Sequence, residues 1–295
     1  MTDHYDRPMA SASSDSGNLT LRVSAAPGCR RRAAYALRGV EKTNPPSEAQ
    51  REAMQAGKDL EPQVLARYAD DVGVSVQSAP PGAPLPWHIQ RQMPDAPIVL
   101  SGTPDAVVME GERVQLIEVK TTGHWHASLI RKDGLLEAAP QYAEQLACYV
   151  WLAWSAGHVC ADTHIVLVYD RDGQGLDVHR LKHATAMSIA ERILARWHDW
   201  PSQALAADLP GRDYAVSDWR CRFCDWRDTC WSATPADDTV ELARDFIRTR
   251  EALAEATAMH TVNRDSLRRV LDVGEIVVTV DGIVRRTSRG IMVDA

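Results

Sequence analysis

Gly102-Thr-Pro-Asp105-Ala-Val-Val-Met-Glu-Gly-Glu-Arg-Val-Gln-Leu-Ile-Glu118-Val-Lys120 is the stretch whose reading decides the fold. Two strand-like runs, 105–109 and 114–119, flank Glu110-Gly111-Glu112-Arg113. Gly111 suits the first central position of a two-residue type II′ turn, and that turn sets Asp105 opposite Glu118. Lys120, two residues on, points to the same face. Two carboxylates roughly 5 Å apart at Cβ, with an ammonium beside them, form a site for a hard cation. Val107, Met109, Val114 and Leu116 share that face, so the acidic end grows out of a buried strand pair. Carboxylates there cost stability, and a divalent metal would offset that cost. Taken alone, Glu-x-Lys on a strand is usually a solvated ion pair.

Working outward, Pro140 suits the first turn of a helix whose apolar run extends to Trp154. Gln145 and Tyr149, four apart, share one of its faces. Upstream, Ser47 reads as the N-cap of a helix that passes Leu65 and Tyr68 and carries Gly57 and Glu61-Pro62. Separately these residues read as ordinary polar, core and surface positions.

Together, the order Glu61, Gly102-x-x-Asp105, Glu118-x-Lys120, Gln145-x-x-x-Tyr149 resembles the PD-(D/E)XK nuclease superfamily over about residues 20 to 235. Within it, the pattern is similar to the RecB-like and lambda exonuclease-like (YqaJ) branches. The resemblance implies an α/β fold, a central mixed β-sheet flanked by helices, with the metal site at one edge of the sheet. By the same resemblance Asp105, Glu118 and the carbonyl of Val119 hold Mg²⁺ or Mn²⁺, with Glu61 completing the shell. Lys120 would activate the attacking water and steady the transition-state charge. Gln145 would position Lys120 or the phosphate, supported by Tyr149.

Six cysteines occur, and Cys221-x2-Cys224-x5-Cys230 forms a tight late cluster; Cys148 and Cys160 sit in apolar stretches as inert buried thiols. Residues 1–18 lack the apolar core of a secretory signal and no transmembrane run follows, so a reducing, cytoplasmic compartment with no membrane attachment is expected. Clustered thiols there read as metal ligands, with Cys29 as a fourth, and a structural zinc is one reading. One early cysteine plus three late ones also resembles the iron–sulfur members of the RecB-like nucleases, including AddB and CRISPR-associated enzymes. That resemblance implies a 4Fe-4S cluster stapling the two ends of the nuclease domain. Those members usually place a histidine where this chain has Glu61, so the pattern mixes a lambda-like site with a RecB-like clasp.

At 295 residues, 45% hydrophobic, the chain has enough apolar material for one large domain and an appendage. Residues 1–18 read as a disordered tail, 19–235 as the nuclease domain, and 236–295 as an accessory helix and a β-hairpin turning at Asp281-Gly282. The proline-rich 79–86 stretch reads as a connection. A net charge of −7 is not what a passive nucleic-acid binder shows and argues against high nonspecific affinity, so local patches decide contact with DNA. Arg30, Arg31, Arg32 and Arg38, with Trp219, Arg220, Arg222, Trp226 and Arg227, would converge with the cysteines, either gripping single-stranded DNA or shielding the cluster. His124-Trp125-His126 is left outside the site as a solvated loop edge. The expected function is a metal-dependent exonuclease acting on single- or double-stranded linear DNA ends in phage-type recombination or end processing. A single-strand annealing partner and a homo-oligomer accompany that expectation. A CRISPR-associated spacer-processing nuclease, a catalytically idle DNA-binding subunit and a zinc-stapled structural protein with no DNA role are the alternatives.

Overall fold

A computed structural model describes residues 9–12, 19–78, 89–93, 98–232, 236–279 and 282–294. The chain divides into two compact units, 1–229 and 230–295. The first begins with β1 (Ala10–Ala12), β2 (Leu19–Arg22), α1 (Arg30–Leu37), α2 (Glu48–Val72), β3 (Val76–Ser78), β4 (Ile89–Gln92), β5 (Ile98–Gly102), β6 (Ala106–Glu110) and β7 (Arg113–Thr122). There follow α3 (His124–Asp133), α4 (Leu135–Ala138), α5 (Pro140–Ser155), β8 (Val159–Cys160), β9 (Thr163–Asp170), β10 (Gly175–Lys182), α6 (His183–Ala195), α7 (Trp200–Leu205), α8 (Trp219–Arg222) and α9 (Arg227–Ser232).

Local chemistry sets these elements. Ser47 and Gln50 close a capping box at the head of α2, and Gly73, at φ 71°, ends it in the left-handed conformation. Pro140 opens α5, where its missing N–H costs nothing. Between β6 and β7, Gly111 has φ 64° while Glu112 does not turn positive, the backbone pattern of a type II′ turn. The resulting register pairs Ala106 with Ile117 and Glu110 with Arg113, which carries Asp105 opposite Glu118.

Two sheets result. The larger runs β10-β9-β7-β6-β3, with β8 also on β7; β7 is parallel to β9 and antiparallel to β6, so the sheet is mixed. The smaller runs β1-β2-β5-β4. Both faces of the larger sheet are covered. Val64, Leu65 and Tyr68 of α2 pack with Ala106, Val108, Ile117, Val119, Ile165 and Leu167. On the opposite face Val107, Leu116, Val166 and Val168 join the core made with α5 and α6. That explains the near-continuous apolar runs of β7 and β9. Met109 departs from the expected buried face: it is 37% exposed, because it sits at the hairpin tip beside Glu110 and Gly111.

Part of the expected disordered tail is ordered. Ala10–Ala12 pairs antiparallel with Leu19–Leu21, where small residues extend the edge of a hydrophobic strand; residues 1–8 and 13–18 lie outside the described ones. The proline-rich 79–86 stretch also lies outside them.

The second unit holds α10 (Ala236–Val270) and an antiparallel sheet of β11 (Ile276–Thr279), β12 (Gly282–Thr287) and β13 (Gly290–Asp294). Thr279 pairs with Gly282, and the turn residues 280–281 lie outside the described ones. Arg286 anchors this sheet to the end of α10 through the carbonyls of Arg268 and Leu271. No described helix is long and apolar enough to cross a membrane.

Candidate active site

Asp105 stands where the chain leaves β5 of the smaller sheet and enters β6 of the larger. Its Oδ2 accepts the Val119 N–H at 2.7 Å. Within a strand a residue's N–H and C=O face the same edge, so the Val119 carbonyl is also directed toward Asp105. Glu118, 1% exposed, receives Lys120 Nζ on Oε1 at 2.5 Å. Its Oε2 is buried without a hydrogen-bond partner. Lys120 Nζ also donates to Gln145 Oε1 at 3.1 Å, and the Gln145 side chain is hydrogen-bonded to Tyr149. Gln145 and Tyr149 lie one turn apart on α5, with Tyr142 three residues before Gln145 on the same side. Glu61 reaches the same place from α2, close enough to act electrostatically on Asp105, Lys120 and Glu118.

Two glycines make this convergence possible. A Cβ on Gly57 would lie 2.8 Å from Thr121 Oγ1, so α2 can approach the end of β7 only there, one turn before Glu61. A Cβ on Gly102 would meet Tyr149 Cε1 at 2.7 Å and Val23 Cγ2 at 2.8 Å. The glycine of Gly102-x-x-Asp105 thus seats the tyrosine ring against the turn that places Asp105.

Electrostatically the site is under load. Burial, aided by Asp105 and offset in part by Lys120, pushes Glu118 up to about 8. Burial and then Asp105 push Glu61 up to about 7, and burial raises Asp105 as well. For Lys120 burial acts downward, but Glu118 and Asp105 outweigh it and hold the ammonium charged. Three carboxylates made uncomfortable by desolvation and by one another, one with an unsatisfied buried oxygen, match the needs of a divalent oxygen-liganded cation.

A protein-family model of the PD-(D/E)XK nuclease superfamily matches residues 17–231. The chain belongs to that superfamily. Its members are nucleases that use divalent metals, which agrees with the carboxylate site just described. The matched span ends within α9, close to the boundary between the two units. No curated protein matches the sequence. Among solved structures, the crystal structure of SSO0001 is similar at a TM-score of 0.41 and 17% identity, over 79% of this chain and 91% of that one. A likeness at that level adds nothing to the argument for fold or activity.

Of the sequence-expected residues of this PD-(D/E)XK chain, Glu61, Asp105, Glu118, Val119, Lys120, Gln145 and Tyr149 come together. Sequence reading missed the ring of neighbours. Tyr142 sets its ring 5.8 Å from Lys120 Nζ and is hydrogen-bonded to Thr122, whose Oγ1 also meets His126 Nδ1 at 3.2 Å. The one available signal was Tyr142, three residues before Gln145 on a helix already read as facing the site.

The cysteines are distributed across the two units. Cys29 caps α1, and Cys224 lies close enough to it for the two thiols to interact; the Cys224 thiol is raised by burial first and by Cys29 to a lesser degree. Cys221 precedes it by one turn, its carbonyl accepting the Cys224 N–H at 3.2 Å. Cys230 opens the second unit. Several of the expected arginines are held in internal contacts here, while Arg222 and Arg227 are exposed. Arg30 holds Asp213 at 2.8 Å, Arg32 holds Asp225 at 3.5 Å, and Arg220 lies 4.1 Å over the Tyr214 ring. Three indoles stitch the region: Trp197, Trp200 and Trp226 donate to the carbonyls of Ala26, Arg30 and Val40. These side chains are thus engaged in holding residues 26–44 to residues 196–229.

Cys160, His164 and His183 also bring their ligand atoms within 4.8 Å of one another. There the His164 Nδ1 accepts the Leu116 N–H at 3.2 Å, so its proton sits on Nε2 and faces His183 Nδ1 at 3.3 Å. A histidine ligand donates from its second nitrogen, whereas this ring already accepts there, and its protonation is pushed down to about 4 by burial and His183. The trio fits a neutral hydrogen-bonded link across the sheet end better than a metal.

Proposed function

We propose that the protein is a divalent-metal-dependent DNA exonuclease that hydrolyses phosphodiester bonds at linear ends. The observation that carries this reading is the buried, unpartnered Oε2 of Glu118, set beside Asp105, the Val119 carbonyl edge and Glu61. Those groups would hold Mg²⁺ or Mn²⁺, which lowers the pKa of a water and offsets charge on the phosphate. Lys120 presents its ammonium to the same space and stabilises negative charge that develops on the phosphoryl oxygens. Gln145 fixes the Lys120 head through its Oε1, and Tyr149, seated on Gly102, fixes Gln145.

End-labelled linear DNA, single- and double-stranded, is the test, with a circular control and with Mg²⁺, Mn²⁺ or EDTA. Metal-dependent loss of linear DNA that falls about 10²–10³-fold in Lys120→Ala supports the reading. Cleavage of the circle at an equal rate would replace exonuclease by endonuclease, and no cleavage by a folded, metal-loaded protein would end the enzyme reading.

We also propose that Cys29, Cys221, Cys224 and Cys230 bind a structural metal group, a 4Fe-4S cluster rather than zinc. An electrostatic influence of Cys29 on Cys224, residues 195 apart in sequence, supports it. A brown, iron-containing anaerobic preparation is expected; a colourless, zinc-containing one would overturn the cluster.

A further inference from the structure

Beyond Lys120, β7 runs out through Thr122 and Gly123, and α3 begins with His124, Trp125 and His126. Trp125 is 75% exposed, an indole face given to water a few residues from the proposed catalytic lysine. Its setting is ordered. The Trp125 and His126 rings lie 6.5 Å apart, tilted by 34°. His126 is held by Thr122 Oγ1 and lies 5.9 Å from the Tyr142 ring, which in turn lies 5.8 Å from Lys120 Nζ. A succession of π-faces therefore leads from the ammonium to solvent. Arg171 flanks it, giving its backbone N–H to the Thr122 carbonyl at 2.9 Å and acting electrostatically on Tyr142. The Arg171 Nε is buried without a hydrogen-bond partner.

An exposed aromatic ring on the helix that follows the Lys120 strand suits a base, because every base has a π-face and stacking tolerates any sequence. A guanidinium suits a phosphate oxygen, and with its Nε buried Arg171 would make that contact through its terminal N–H groups. Inside a duplex the base faces are covered by their neighbours, so an exposed indole finds a free face on an unpaired nucleotide or on the outer face of a terminal pair, and the single strand offers the most such faces.

We propose that Trp125 is the stacking platform for an unpaired base close to the scissile phosphate, with Arg171 taking a neighbouring phosphate. The substrate strand then reaches Lys120 single-stranded or as a frayed end. The inference rests on the nuclease reading above, and its test separates the two. Single-stranded oligonucleotides carrying 2-aminopurine near either end are titrated with the full-length protein in EDTA. Stacking on the indole quenches the fluorescence. Trp125→Ala is expected to abolish the quenching and weaken binding roughly 5- to 100-fold, while Trp125→Phe keeps most of both. Arg171→Ala is expected to weaken binding with a salt slope shallower by about one. With Mg²⁺ or Mn²⁺ present, the Trp125→Ala defect appears chiefly in KM for the single strand. If wild-type protein cleaves but Trp125→Ala quenches, binds and cleaves as it does, the platform is overturned and the nuclease stands. If wild-type protein quenches through Trp125 but cleaves nothing, the nuclease falls and the platform stands.

Discussion

Glu118 concentrates the chemistry of the site in one side chain. Its Oε1 is held by Lys120, its Oε2 has no hydrogen-bond partner, and burial keeps it protonated up to about pH 8. Glu118→Gln replaces a carboxyl that burial already holds neutral below about pH 8 with a neutral amide of the same shape, so the metal-free variant is expected to melt no lower than wild type. The rise in melting temperature that Mn²⁺ gives wild-type protein should vanish with it. A metal-free variant much less stable than wild type would contradict this account. The pH dependence has a definite sign. Unfolded, Glu61 and Glu118 lose their protons near about pH 4.3, whereas the fold retains them to about 7 and about 8. Between those limits the folded state binds more protons than the unfolded one, so stability without metal falls as pH rises from about 5 to about 8. Metal competes with those protons, so thermal melts with and without Mn²⁺ should differ more at pH 8 than at pH 6.

At the scale of elements, the site depends on how closely α2 and α5 approach the strands. Gly57→Ala would by propensity alone favour α2 by about 1 kcal/mol. Its Cβ would meet Thr121 Oγ1, however, and the expected result is weaker metal binding with little loss of stability. Isothermal titration with Mn²⁺ measures it, and adding Thr121→Ala should restore affinity; an unchanged affinity in the single variant would show that α2 needs no close approach. Gly102→Ala presses on Tyr149 from one side and Val23 from the other, both packed in the core, and is expected to cost both stability and metal affinity.

At the scale of the whole molecule, the nuclease core is closed by contacts between sequence-distant segments. Trp200 is fully buried and donates to the Arg30 carbonyl at 3.0 Å. Trp200→Phe removes that bond while the carbonyl keeps its partner within α1, so roughly 0.5–1.5 kcal/mol is expected for the bond alone, to be read from urea unfolding. An unchanged midpoint would mean that the indole contributes packing alone.

The sequence by itself determined the parts whose physics is local. The Gly111 turn and period-2 alternation dictated the hairpin register, which set Asp105 opposite Glu118 and Lys120 beside it. Caps at Ser47 and Pro140 placed the helices that bring Glu61, Gln145 and Tyr149. Only the tertiary structure decided what depends on contacts between distant segments. Met109 was exposed because strand parity says which way a side chain points, not how far cover extends along the strand. Arg30 and Arg32 turned inward because Asp213 and Asp225, some two hundred residues away, were folded against them. His126 lies beside the site because Tyr142, on a different element, stands between it and Lys120. A ring packed across elements leaves no periodic trace in a chain, whereas a turn, a cap or a strand register is written within a few residues of itself.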